Sequence, residues 1–181
     1  MTTTDPTLWY VVGGVVILAL IVIGIAVAQK NRSQQLRSKF GPEYDRTVQQ
    51  AGNRKDAEAE LANREKRVKR MHIEELPAGA RTRYTEEWRT VQQRFVDEPK
   101  SALLNADQLV TNVMRDRGYP TQDFHQNVAD LSPDHPHVIE HYRAAHGIVE
   151  RVQSDSASTE DMRQALVYYR SLFDDLLGKQ H

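Results

Sequence analysis

The residues best suited to chemistry are in segment 137–141, which reads HVIEH. Histidines four residues apart on a helix lie one turn apart on the same face, where both imidazoles can bind one zinc ion and the glutamate between them can act as a general base. His137 and His141 are therefore the candidate metal ligands. A zinc site needs at least a third protein ligand, and the acidic residues that follow form no recognisable motif. We favour a solvated helix face here, with metal binding or metal-dependent hydrolysis as the alternative.

The composition excludes several other classes of protein. The chain has no cysteine, which removes disulfides, thiolate metal sites and cysteine nucleophiles. Its 24 Lys and Arg are balanced by 25 Asp and Glu, so no excess of positive charge favours nucleic acid as a partner. No phosphate-binding glycine loop or nucleophile elbow occurs. The sequence predicts no cofactor and no catalytic residue, and it favours a non-enzymatic role.

An apolar segment near the N-terminus predicts a transmembrane helix. Residues 8–28 contain no charged side chain, and as a helix they would extend about 30 Å, the thickness of the hydrocarbon core of a bilayer. Side chains typical of membrane interfaces lie at both ends of this segment: Trp9 and Tyr10 at its start, and Lys30, Arg32, Arg37 and Lys39 beyond its last residue.

The positive charges also predict an orientation. The positive-inside rule keeps the basic residues in the cytoplasm, so residues 1–7 form a short extracytoplasmic tail and the soluble part is cytoplasmic, tethered to the inner (plasma) membrane by a single pass. The alternative is a cleaved signal peptide, because Ala26-Val27-Ala28 resembles a cleavage site. The apolar run is longer than usual for such a peptide, however, and no Lys or Arg precedes it.

The remaining sequence predicts an all-α fold. Residues 29–76 form a basic collar and a charged helical stalk, broken at Gly41-Pro42, and residues 77–178 form a bundle of about four helices. The spacing of Tyr84, Trp88, Val91 and Phe95 places four large apolar groups on one helix face, so we expect Trp88 in a core rather than in a ligand pocket. The last helix opens with a capping box formed by Ser158 and Asp161.

Several stretches resemble a family of uncharacterised bacterial membrane or secreted proteins with no known activity. These stretches are 36–47 (LRSKFGPEYDRT), 105–107 (NAD) to 115–120 (RDRGYP), 141–146 (HYRAAH) and 158–161 (STED). The resemblance extends over most of residues 36–177. It implies a bacterial source and carries over no activity and no site residue.

These features together favour a membrane-tethered interaction module. The expected partners are the lipid bilayer and a protein of unknown identity, and nucleic acid is not among them. A domain that uses the His137, Glu140 and His141 cluster to bind a metal, and a helical sensor of the membrane surface, are the alternatives.

Overall fold

A computed structural model describes residues 6–77 and 79–178, with side chains from residue 14 onward. Over this part of the chain it contains eight helices and no strand, which confirms the predicted all-α class. Of the expected N-terminal tail, residues 1–5 lie outside the described residues. The helices are α1 (Pro6–Phe40), α2 (Pro42–Ala51), α3 (Arg54–Val68), α4 (Ala80–Arg94), α5 (Pro99–Asp116), α6 (Phe124–Leu131), α7 (Ile139–Gln153) and α8 (Thr159–Leu176).

The first helix contains an apolar stretch that is exposed throughout. The large apolar side chains described between Val15 and Val27 each expose about half or more of their surface. Among the described residues, α1 is the one helix long and apolar enough to cross a membrane, a test that a signal sequence also passes. Contacts divide the chain into two compact units, Met1–Lys39 and Phe40–His181.

The core of the second unit is built from the apolar stripes of α4, α5, α7 and α8. Helix α8 packs along both α5 and α7, and α4 packs along α5. Trp88 of α4 is fully buried and stacks on Phe173 of α8, with ring centroids 4.7 Å apart. The Tyr169 hydroxyl donates a 2.6 Å hydrogen bond to Asp107, joining α8 to α5. The stripe containing Trp88 therefore lies in the core, as its spacing predicts.

Helices α2 and α3 belong to this unit, although residues 29–76 were expected to form a separate collar and stalk. Helix α3 packs along α2 and against α6, and Phe40, Tyr44, Ala57 and Leu61 are buried. The compact unit therefore begins at Phe40 rather than at residue 77. Helix α6 brings the number of helices after residue 77 to five among those described, against the expected four or so.

Caps and turns fix where these elements begin and end. The Ser158 hydroxyl accepts a hydrogen bond from the Asp161 amide at 3.1 Å and Asp161 accepts one from the Ser158 amide at 2.9 Å, which is the expected capping box. Beyond α5, Gly118 has a positive φ of 96°, and a Cβ there would collide with the carbonyl oxygen of His72. Only glycine satisfies both requirements at this position.

Candidate functional site

The histidines of the HVIEH segment point to different partners. Helix α7 begins at Ile139, so His137 lies in the turn before it and not one helical turn from His141. Its Nε2 is 3.1 Å from Asp175 Oδ1, whereas His141 Nδ1 is 3.4 Å from Ser171 Oγ and its ring stacks on Tyr168. Within the part of the chain that the structure describes, no group of three His, Asp or Glu residues is placed to hold a metal ion.

Asp175 of α8 instead contacts two imidazoles. Buried His135 reaches Asp175 Oδ2 through Nδ1, and exposed His137 reaches the other carboxylate oxygen. Partial burial acts to raise the pKa of the Asp175 carboxyl, but the hydrogen bond and charge of His135, followed by those of His137, outweigh it and lower this pKa. A carboxyl with a lower pKa in the folded chain stabilises the fold above its unfolded pKa, about 3.9, and this contribution is lost as the pH falls through the folded value.

The most distinctive polar site lies elsewhere, in a cavity between α2, α3, α6 and α7. The cavity has a volume of about 570 Å³. Each of these helices contributes to its wall. The lining includes three arginines, two histidines and one aromatic ring: Arg46, Arg64, Arg143, His125, His146 and Phe124. We call this space the arginine cavity.

The three arginines are linked by carboxylates into one chain of alternating charges. Arg64 Nη1 donates to Glu43 Oε1 at 2.7 Å, and Arg143 donates to both Glu43 oxygens at 2.6 and 2.8 Å. Arg143 also donates to Glu140 at 3.1 Å, and Glu140 accepts from Arg46 at 3.4 Å. Three helices, α2, α3 and α7, thus contribute guanidinium groups to one cluster.

The ion pairs of this cluster differ in how deeply they are buried. The Glu43 side chain is only 1% exposed, so its two-pronged bond to Arg143 and its bond to Arg64 form in a low dielectric, where bidentate pairs are strong and geometrically specific. Arg46 and Glu140 are 43% and 46% exposed, and an exposed pair of this kind contributes about 0–1 kcal/mol. Arg64 and Arg143 are therefore held rigidly, whereas Arg46 is held weakly.

An aromatic wall completes the arginine cavity. The rings of Phe124 and His146 are nearly parallel with centroids 3.7 Å apart, and Tyr142 meets Phe124 edge-on at 5.1 Å. Phe124 follows the N-cap Asp123, whose side chain accepts from the Gln126 amide at 2.9 Å and fixes the start of α6. The cavity consequently has one apolar, flat side and one cationic side.

The sequence indicates Arg64 only as the first residue of a basic run, 64–70, that favours phospholipid contact, and it singles out neither Arg46 nor Arg143. One signal was present in α3: Arg64 lies three residues after Leu61 and four before Val68, both buried, so a charged group occupies the apolar face of this helix. A long charged side chain in that register must be paired within the fold or reach solvent. Its partner Glu43 is 21 residues away in sequence and has no pattern that identifies it.

The residues predicted for the membrane interface are all on α1. Lys30, Arg32 and Arg37 are exposed and Lys39 is partly buried, whereas the side chains of Trp9 and Tyr10 lie outside the described residues. The basic side chains therefore follow the apolar stretch along one continuous helix.

Comparisons of the chain with protein-family models, with curated proteins and with solved structures find no match.

Proposed function

We propose that this protein is a membrane-tethered interaction module, in which α1 anchors a cytoplasmic helical domain that binds a protein partner close to the inner face of the membrane. The observation that carries the proposal is the exposure of the apolar part of α1: none of the apolar stretch of this helix is buried within the protein. Exposed apolar surface of this extent is costly in water and favourable in a bilayer.

The placement of charge supports the cytoplasmic orientation. Lys30, Arg32, Arg37 and Lys39 follow the apolar stretch with no acidic residue between them. Basic residues this close to a membrane helix favour the cytoplasmic side, where they also interact with anionic lipids.

The filled core of the second unit supports a binding role over a catalytic one. Trp88, Tyr169, Phe173 and Leu103 are fully buried and pack together, so the interior of the bundle holds side chains rather than a substrate cleft. The polar cluster around the arginine cavity lies outside this interior, between α2, α3, α6 and α7.

The tether and its orientation are tested by two measurements on the full chain in a bacterial host. A reporter that is active only in the cytoplasm, fused after His181, should be active, and the protein should remain in the membrane fraction after an alkaline wash. Mass spectrometry should find the N-terminal residues still attached. Activity of a periplasmic reporter would reverse the orientation, and a mature N-terminus at Gln29 would show a cleaved signal peptide instead of an anchor.

The binding role needs a separate experiment. A photo-crosslinking amino acid placed singly at exposed positions of α2 to α8 in cells should give crosslinks to one protein from positions that cluster on one face of the domain. Crosslinks to lipid alone would favour the membrane-surface sensor and contradict a protein partner.

A further inference from the structure

We infer that the arginine cavity binds a phosphate monoester, carried either by a small soluble molecule or by the headgroup of a membrane lipid. This inference concerns the folded domain alone and does not depend on the tether or on its orientation. The volume of about 570 Å³ is within the range of about 300–1,000 Å³ that is usual for small-molecule sites.

The cationic groups of the cavity are suited to phosphate. The fixed cations in its lining, Arg46, Arg64 and Arg143, are all arginines, whose planar fork of N–H donors matches the oxygen spacing of a phosphate group. They come from three separate helices and can therefore contact different oxygens of one tetrahedral group. The hydrogen bonds to carboxylates leave N–H groups on each guanidinium for a ligand.

The lining carries three arginines and one carboxylate, Glu150, which is 69% exposed and therefore screened by water and salt, so the wall is positive. Arg64 and Arg143 share the single buried charge of Glu43, which lies behind them and not in the lining. The other carboxylates that contact these arginines, Glu60 and Glu140, are about half exposed, so water and salt screen them. A phosphate dianion entering the cavity would meet two guanidinium groups that cannot be neutralised fully by Glu43.

The site is organised before a ligand arrives. Glu43 positions the guanidiniums of Arg64 and Arg143, so ordering them costs little when a ligand binds. Among the described residues, Arg46 is held by a long contact to the exposed Glu140 and can turn to the ligand at small cost. The flat surface formed by Phe124 and His146 is placed to contact the organic part of an ester.

The test uses the full chain in micelles of an uncharged detergent, titrated calorimetrically with glycerol 3-phosphate. We expect one saturable site with a dissociation constant below about 1 mM. Arg46→Gln should weaken binding about tenfold, because it removes one guanidinium from the ligand. The matched control is Arg151→Gln: Arg151 is 47% exposed and forms an ion pair with Asp161 away from the cavity lining, so this variant should bind as the wild type does.

A second variant separates the effect of the guanidinium's two-pronged geometry from the effect of its positive charge. Arg143→Lys keeps a cation beside Glu43 and so protects the fold. A lysine cannot form a two-pronged contact with the phosphate, however, so this variant should also weaken binding about tenfold. The near-ultraviolet circular dichroism of both variants should match that of the wild type. Absence of saturable heat, equal weakening by Arg46→Gln and Arg151→Gln, or tighter binding of an oligoglutamate peptide than of glycerol 3-phosphate would each overturn the inference.

The source of the phosphate is distinguished in nanodiscs. Phosphatidic acid carries a phosphate monoester, whereas phosphatidylglycerol carries a diester. If the ligand is a lipid headgroup, discs that contain phosphatidic acid should compete with glycerol 3-phosphate for the cavity, and discs that contain phosphatidylglycerol should not. Equal affinity for glycerol 3-phosphate in both discs and in discs of phosphatidylcholine alone would identify a soluble ester as the ligand.

Discussion

Replacement of Glu43 by Gln is the most direct perturbation of the polar cluster in the second unit. The change keeps the size of the side chain and removes the charge that Arg64 and Arg143 share at 2.6–2.8 Å. Removing one partner of a buried ion pair costs about 3–5 kcal/mol, because the remaining charge stays buried without compensation. Since Arg64 keeps Glu60 and Arg143 keeps Glu140, we expect the lower value, about 3 kcal/mol.

This loss should be visible in thermal unfolding. For a domain of this size about 1 kcal/mol shifts the melting temperature by roughly 2–4 °C, so Glu43→Gln should lower it by roughly 6–12 °C. Replacing Trp9 by Phe leaves Trp88 as the single tryptophan, and its fluorescence then reports unfolding of the core alone. The control is Glu87→Gln, whose carboxylate is 46% exposed and pairs with Arg83 at 3.7 Å, with an expected shift near zero.

A third variant tests why Glu43→Gln loses stability. Glu43→Leu combined with Arg64→Met and Arg143→Met removes the three charged groups of this cluster, and such replacements are often neutral or stabilising. The triple variant should therefore regain most of the stability that Glu43→Gln loses. If Glu43→Gln melts at the same temperature as Glu87→Gln, the cluster does not hold α2 and α3 to the bundle, and this reasoning is refuted.

Three further outcomes are expected. Trp88→Ala should cost about 3–5 kcal/mol in urea unfolding, because it removes a fully buried ring stacked on Phe173, and an unchanged midpoint would contradict the core. Asp175→Asn should lower the melting temperature at pH 7, and its difference from the wild type should shrink below about pH 4, where the stabilisation from the lowered pKa of Asp175 is lost; a constant difference would exclude this linkage. Zinc titration after chelator treatment should show no binding tighter than micromolar, and one tight equivalent abolished by His141→Ala would favour the metal-binding alternative.

The parts of the fold that the sequence predicts correctly are those whose apolar residues recur at helical spacing. The stripe of α4 and the capping box of α8 are local signals, read within one or two helical turns, and both are present in the structure. The apolar stretch of α1 is also local, because length and composition alone define it. Each of these signals shows which side of a segment is apolar or where a helix begins, and it can be recognised without knowing what the segment packs against.

The arginine cavity depends on pairings that no local pattern encodes. Arg143 and Glu43 are 100 residues apart, and each in isolation resembles a solvated charge on a polar helix. Their burial depends on α2 and α3 packing into the domain, and α3 was expected to be a stalk because its apolar stripe is thin and interrupted by Arg64. The same interruption explains why both the cavity and the packing of α3 were missed. A guanidinium on the packing face of a helix implies a buried carboxylate partner, and that partner implies that the helix carrying it packs nearby. A charged residue in the apolar register of an otherwise weak helix therefore favours docking through ion pairs over a free stalk.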